Sequence, residues 1–199
     1  MKKRTKSRHD SSDEEQDDYE QVVKVQGNEI FYNGDVTEEN ASVLIREINK
    51  TEKTLRKMAV DFDGFEPSIR LYINSDGGSV FAGLSAMNHI EKCRVPVTTI
   101  ANGLCASAAT FILMGGKTRC ITKNAYVLIH QMTVGMWGDY KFSELTEEMD
   151  NNKKLMKMLR DMYTEKTNIP EKKLDAMMKK DVMLSARKCI KYGIVSAYL

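Results

Sequence analysis

Two glycines in succession, Gly77-Gly78, separate an alternating run, Ile69-Arg-Leu-Tyr-Ile73, from a run that places Val80, Phe81, Leu84, Met87 and Ile90 at helical spacing. Alternation marks a strand with one core face, and the 3.6-residue period marks an amphipathic helix. The same succession recurs at once. Val95-Pro-Val-Thr-Thr-Ile100 reads as a strand, and Ala101 to Gly116 carries it through a small-residue turn at Ser107 into an apolar helix. Strand, helix, strand, helix in this rhythm makes crossover units, which predicts an α/β fold with a largely parallel sheet. At 199 residues the chain fits one domain with a real core.

The remaining elements follow from the same two periods. Val22 to Val25 and Ile30 to Tyr32 read as short strands around Gly27-Asn28. Thr37 or Asn40 can cap a helix through Val43, Leu44, Ile48, Leu55 and Met58, which Asp61 to Pro67 breaks. Thr118 to Ile121 and Ala125 to Ile129 are further strands, the second ending on His130, with a loop from Met132 to Tyr140. Phe142 to about Lys166 predicts one long helix, roughly 35 Å at 1.5 Å per residue. Its stripe is Phe142, Leu145, Met149, Leu155 or Met156, Leu159 and Met162. Such a helix exceeds what a domain of this size needs, so it is expected to protrude or meet another subunit. Glu171 to Met178 is a shorter helix, and Ser185 caps a last one ending near Tyr192-Gly193.

Residues 1 to 18 are a block apart, basic from Lys2 to Arg8 and acidic from Asp10 to Asp18, with no apolar residue after Met1. Nothing there compensates the entropy of ordering, so a mobile charged tail is expected, with residues 19–199 as the folded domain. The acidic half cancels the basic half and the formal net charge is +2, so neither nucleic acid nor a membrane surface is an expected partner. The four cysteines show no CxxC or metal-ligand spacing and each sits in an apolar run. They read as buried thiols of a reducing compartment, with no metal and no cofactor. With no 18-residue apolar stretch and no hydrophobic signal core, the expected location is cytoplasmic, or elsewhere after processing.

Candidate chemistry gathers at the strand ends. A serine at a strand-to-helix turn stands at the top of a sheet beside the first free helical N–H groups, so an attacking oxygen and an oxyanion site can be adjacent at Ser107. The glycine pair offers backbone N–H groups by close approach. It matches neither GxGxxG nor a P-loop, so a nucleotide site is not expected. Of three histidines, His9 lies in the tail and His89 reads as a packed or half-exposed helix residue, whereas His130 ends a strand. Neighbouring parallel strands would bring Ser107 and His130 close enough for proton transfer. An orienting carboxylate is then needed, and Asp139, Asp161, Asp175 and Asp181 all lie downstream; spacing does not choose among them.

Four stretches together resemble the proteolytic subunits of the Clp proteases. They are Leu71-Tyr-Ile-Asn-Ser-Asp-Gly-Gly78, Gly103-Leu-Cys-Ala-Ser107-Ala-Ala-Thr-Phe, Ala125-Tyr-Val-Leu-Ile-His130-Gln131, and Asp181-Val-Met-Leu-Ser-Ala186 through Tyr192-Gly-Ile-Val195. They stand in that family's order over about residues 29 to 196. The resemblance implies a crotonase-like spiral of βαβ units, with the long helix as a protruding handle. It implies a serine endopeptidase that cuts unfolded polypeptides inside a homo-oligomeric ring, heptameric and stacked in pairs, fed by an ATP-driven AAA+ unfoldase. Carried over residue by residue, it places the nucleophile on Ser107, the base on His130 and the orienting carboxylate on Asp181, with Gly78 and Ala108 as backbone oxyanion donors.

Several positions depart from the family's pattern. Asp76 stands where proline usually precedes the glycine pair, and Met132 where proline usually follows His-Gln. The loop Thr133 to Tyr140 lacks the usual glycine-rich pattern, and Arg70 replaces an aromatic residue common in the unfoldase-docking pocket. Lys179-Lys180 occupies positions that usually carry an acidic residue and an arginine, which pair between rings. Like charges facing each other would repel, so weaker or rearranged ring stacking is expected, and with the short charged tail an unusual or absent unfoldase. A dedicated processing peptidase, a non-catalytic ring subunit of a Clp complex, and an acyl-CoA enzyme of the same spiral fold remain as alternatives.

Overall fold

The structure, a computed structural model, describes residues 22–135 and 138–199. The tail expected over residues 1 to 18, and His9 within it, lie outside the described residues. Eight strands form one sheet: β1 (Val23–Gln26), β2 (Glu29–Asn33), β3 (Ile69–Ser75), β4 (Val97–Ala106), β5 (Thr118–Ile121), β6 (Tyr126–Leu128), β7 (Met183–Ser185) and β8 (Ala197–Tyr198). Among the described residues six helices join them: α1 (Glu38–Asp61), α2 (Val80–Lys92), α3 (Ala109–Met114), α4 (Phe142–Lys166), α5 (Glu171–Met178) and α6 (Ala186–Lys191). The main path runs β1-β2-β3-β4-β5-β8, and a second branch, β6 with β7, also leaves β4. Every pairing is parallel except the two flanking pairs, β1 with β2 and β6 with β7. The mixed α/β architecture expected from the strand-helix rhythm is the one observed.

Local sequence accounts for the elements. In β3 the alternate side chains of Ile69, Leu71, Ile73 and Ser75 are buried, as a half-buried strand requires. Thr37 caps α1 by accepting the Asn40 N–H, and Glu38 and Glu39 complement the helix dipole in the first turn. Leu44 and Ile48 of that helix join Ile30, Leu71 and Ile73 in the core with no exposed surface. Full burial of such a side chain contributes about 1.5–3 kcal/mol.

Four readings need correction. β4 does not end at Ile100 but continues through Asn102-Gly103 to Ala106. β7 and β8, too short to show alternation, were not anticipated. Ser185 stands at the start of α6 but makes no side-chain cap. Cys93 is half-buried rather than core, while Cys105, Cys120 and Cys189 are buried and all four are free. Burial pushes the Cys93 thiol up to about 11 and that of Cys189 to about 12. Among the described residues no helix is long and apolar enough to cross a membrane.

The long helix is seated only at its C-terminal end. Leu159, Met162 and Tyr163 are buried, whereas Phe142 is 86% exposed and Leu145 and Met149 are also exposed, so the apolar stripe continues beyond the core that it joins.

Replacing Leu44 by alanine is expected to cost about 2–5 kcal/mol, because the cavity adds to the lost transfer energy. Val60→Ala, on the same helix but 86% exposed, should stay within about 0.5 kcal/mol. Urea unfolding of the two variants measures the contrast.

Candidate active site

The site begins with a bulge. Ile73 of β3 pairs with Ala101 of β4, yet Ser75 pairs with Cys105, so β4 spends two extra residues there. Gly103 takes φ +97°, and Asn74 Oδ1 accepts the Leu104 N–H at 3.1 Å. Before the bulge β4 pairs with β5 as far as Ala101 and Ile121; after it β4 pairs with β6, from Leu104 and Tyr126 to Ala106 and Leu128. The bulge thus hands the strand from one neighbour to the next.

Ser107 follows immediately, with its N–H on Leu128 O at 2.9 Å. It is the one described non-glycine residue with positive φ, +52°. This left-handed conformation costs about 1–2 kcal/mol and turns the side chain out at the strand-to-helix elbow. His130 lies two residues past β6. Because Leu128 faces Met183 in the antiparallel β6–β7 pair, stepping two residues on and two back sets His130 opposite Asp181. The Nδ1 to Oδ1 distance is 3.4 Å.

The four candidate carboxylates separate on geometry. Asp161 pairs with Lys157 at 2.5 Å and Asp175 with Arg160 at 2.7 Å, and Asp139 lies exposed in the loop. Among the described residues Asp181 is the only carboxylate within 4 Å of a His130 ring nitrogen. Its side chain is 81% exposed, against 25% for His130, so in the isolated chain water screens the contact. Among the described residues no hydrogen bond joins the Ser107 hydroxyl to His130.

The glycine turn lies against the serine. A Cβ on Gly77, at φ +104°, would stand 2.5 Å from Ser107 Cβ and 3.1 Å from Ala108 N. Among the described residues the N–H groups of Gly78 and Ala108, which follow Gly77 and Ser107, donate to no protein acceptor. Val36, which the sequence did not single out, holds this turn. Its N–H bonds Gly77 O and its C=O accepts the Ser79 N–H, both at 2.7 Å. The side chain of Val36 takes no part, and backbone clamps leave no signature in residue type. Asp35 O, which accepts from Tyr32 Oη at 2.7 Å and Asn40 Nδ2 at 2.9 Å, fixes Val36 in turn.

Helix α5 supports the other side. Met178 O accepts the Gln131 N–H at 2.8 Å, next to His130, and Met177 O accepts the Lys180 N–H at 3.0 Å, next to Asp181. Arg160 of α4 braces this helix through Asp175 and, at 3.1 Å, Glu171. Its guanidinium holds the Asp175 carboxyl below the usual range. The Met132 N–H, which a proline would lack, lies 3.4 Å from Met156 Sδ. Asp76 is exposed beside the glycine pair. Lys180, with Lys173 and Lys188, rims a cleft of about 210 Å³ floored by Met177, Leu184 and Tyr192. Of the other histidines, His89 Nε2 lies 2.9 Å from Asn49 Oδ1, away from these residues. Among the described residues no cluster of three or more His, Cys, Asp or Glu side chains could hold a metal.

Fold and site define a class: an α/β protein with a serine elbow, a histidine and an aspartate on three neighbouring strand ends. The chain belongs to the Clp protease family, whose sequence profile matches residues 11–198. It is 31% identical over 140 residues to the ATP-dependent Clp protease proteolytic subunit of Deinococcus radiodurans, covering 69% of this chain and 68% of that one. It is 38% identical over 130 residues to the subunit of the same name from Ostreococcus tauri, 64% of each chain. The Chlorokybus atmophyticus subunit is 36% identical over 129 residues, 64% of this chain and 56% of that one.

Gly77→Ala should drive a Cβ into Ser107 from a backbone conformation that alanine disfavours. The expected outcome is a loss of at least about 2 kcal/mol of stability together with loss of Ser107 reactivity toward a fluorophosphonate. Gly27→Ala, also at positive φ but with open space around it, should lose only about 1–2 kcal/mol and keep the reactivity. Labelling and denaturation of the two variants provide the check.

Proposed function

We propose that this chain is a serine endopeptidase subunit that hydrolyses unfolded polypeptides to peptides by an acyl-enzyme route. The observation that carries the reading is the β6–β7 register, which sets Asp181 against His130 on the strand beside Ser107. In this reading Ser107 Oγ attacks the scissile carbonyl carbon while His130 Nε2 takes its proton, and Asp181 holds the Nδ1–H and stabilises the imidazolium. The developing oxyanion accepts the N–H groups of Gly78 and Ala108. The C–N bond then breaks as His130 returns the proton to the departing amine. A water deprotonated by His130 releases the acyl group from Ser107 in the second half-reaction. The reaction needs no cofactor.

The same proposal covers the assembly. The chain forms a homo-oligomeric ring, heptameric and able to stack, with the exposed stripe of α4 at the contact between rings. An ATP-driven AAA+ unfoldase with unusual docking chemistry supplies substrate, and the location is cytoplasmic. The outer face of β2 and β3 bears on the partner. Arg70 is committed there to Glu29 at 3.2 Å and lies over the Tyr72 ring, which stacks on Phe31. A partner loop would therefore meet paired charges beside the aromatics.

A second reading, a non-catalytic ring subunit, is favoured by the missing Ser107–His130 hydrogen bond and the exposure of Asp181. Fluorophosphonate labelling separates the two. The peptidase reading expects wild-type protein to label, Ser107→Ala not to label, and Asp181→Asn to lose about 10³- to 10⁴-fold in peptide hydrolysis. Labelling of Ser107→Ala as strong as wild type would overturn it, and a folded, assembled and unlabelled wild type would establish the second reading.

A further inference from the structure

We propose that Tyr163, acting through Thr110, is a positioning residue that aims the Ala108 N–H at the reacting carbonyl; this rests on the serine-peptidase reading. Two buried hydroxyls meet behind the serine elbow. Thr110 in α3 has no exposed surface and Tyr163 in α4 is 1% exposed, and Thr110 Oγ1 and Tyr163 Oη are hydrogen-bonded to each other. Thr110 Oγ1 also lies 2.6 Å from Ser107 O, which accepts the Thr110 N–H at 3.0 Å as well.

The direction of this chain is fixed by elimination. A carbonyl oxygen only accepts, so the single Thr110 hydroxyl proton goes to Ser107 O. Tyr163 must then donate to Thr110 Oγ1. The chain runs from Tyr163 O–H to Thr110 O–H to the Ser107 carbonyl, with every proton placed.

The peptide that carries Ser107 C=O also carries Ala108 N–H, and the group is planar and trans. Fixing the carbonyl on one side therefore fixes the N–H on the other. Ser107 sits in a left-handed conformation that its own type does not favour, so this plane needs outside support. Two donors on the carbonyl also polarise the amide and make its N–H the stronger donor. Tyr163 is itself held. Its ring packs on Phe111 at 6.1 Å and its C=O accepts Thr167 Oγ1 at 2.6 Å. Arg119 anchors the same helix end by donating to Lys166 O at 2.8 Å and Gly193 O at 3.2 Å. A donor aimed where charge develops acts on the transition state and little on substrate binding.

The experiment compares wild type with Tyr163→Phe, Thr110→Val, Thr110→Ser and the double variant Tyr163→Phe/Thr110→Val. The readouts are kcat and KM on a short peptide and the fluorophosphonate labelling rate, each normalised to the folded fraction from circular dichroism. Tyr163→Phe and Thr110→Val should each lower kcat and labelling about tenfold, less than deleting an oxyanion donor, with KM within about twofold. Thr110→Ser, which keeps the hydroxyl, should restore the wild-type rate, and the double variant should be no slower than either single one, since the chain acts as a unit. The double variant leaves no buried hydroxyl unpaired, so if a single variant fails to fold, the rate of the double decides. Wild-type labelling with unchanged rates in the folded variants, or a fall confined to KM, overturns this inference alone. A wild type that does not label overturns the peptidase reading and this inference with it.

Discussion

One hydrogen bond, from the Leu104 N–H to the side chain of Asn74, settles where the strand ends of the candidate site gather. It fills the gap left when β4 runs two residues ahead of β3, and Gly103 leaves room for it, since a Cβ there would meet Asn74 Oδ1 at 2.5 Å. Without the extra residues β4 would stay beside β5. With them it reaches β6, and Ser107, His130 and Asp181 come to adjacent strand ends. A sheet that branches at its central strand can present ends from both branches to one point.

Around that point the support is mostly backbone. Val36 clamps the glycine turn through its own amide and carbonyl, and Met178 and Met177 offer carbonyls to the residues beside His130 and Asp181. Side chains enter one layer further out, where Tyr32 and Asn40 hold the Asp35 carbonyl beside Val36 and Arg160 ties α5 to α4.

How legible this was depended on the range of the interaction. Long amphipathic elements declared themselves: the bounds read for the long helix, Phe142 to Lys166, and for Glu171 to Met178 are those observed. Short-range glycine and capping chemistry was also legible, as at Thr37 and Gly77-Gly78. The extension of β4 was not, because Asn102-Gly103 looks like a turn and its pairing with Ser75 and β6 is a tertiary matter. Spacing left four aspartates open, since the residue facing His130 is set by a pairing more than fifty positions away along the chain. Resemblance to a family named Asp181, and the register sets that residue opposite His130. Nothing in the sequence singles out Tyr163 and Thr110, because a hydroxyl pair buried between two helices differs from packing only in its partner.

The antiparallel pairing of β6 with β7 has a consequence for how such a chain can change over evolutionary time. Everything between Ile129 and Val182, both helices included, is an excursion that leaves the sheet and returns to the place it left. The facing of His130 and Asp181 is counted from the paired strands and not along the excursion. Whole turns can be added to or taken from the exposed half of α4 without altering that count, whereas a single residue inserted between Asp181 and Met183 would shift it. The outward arm is free to diversify with its neighbours while the pair at its root stays in step.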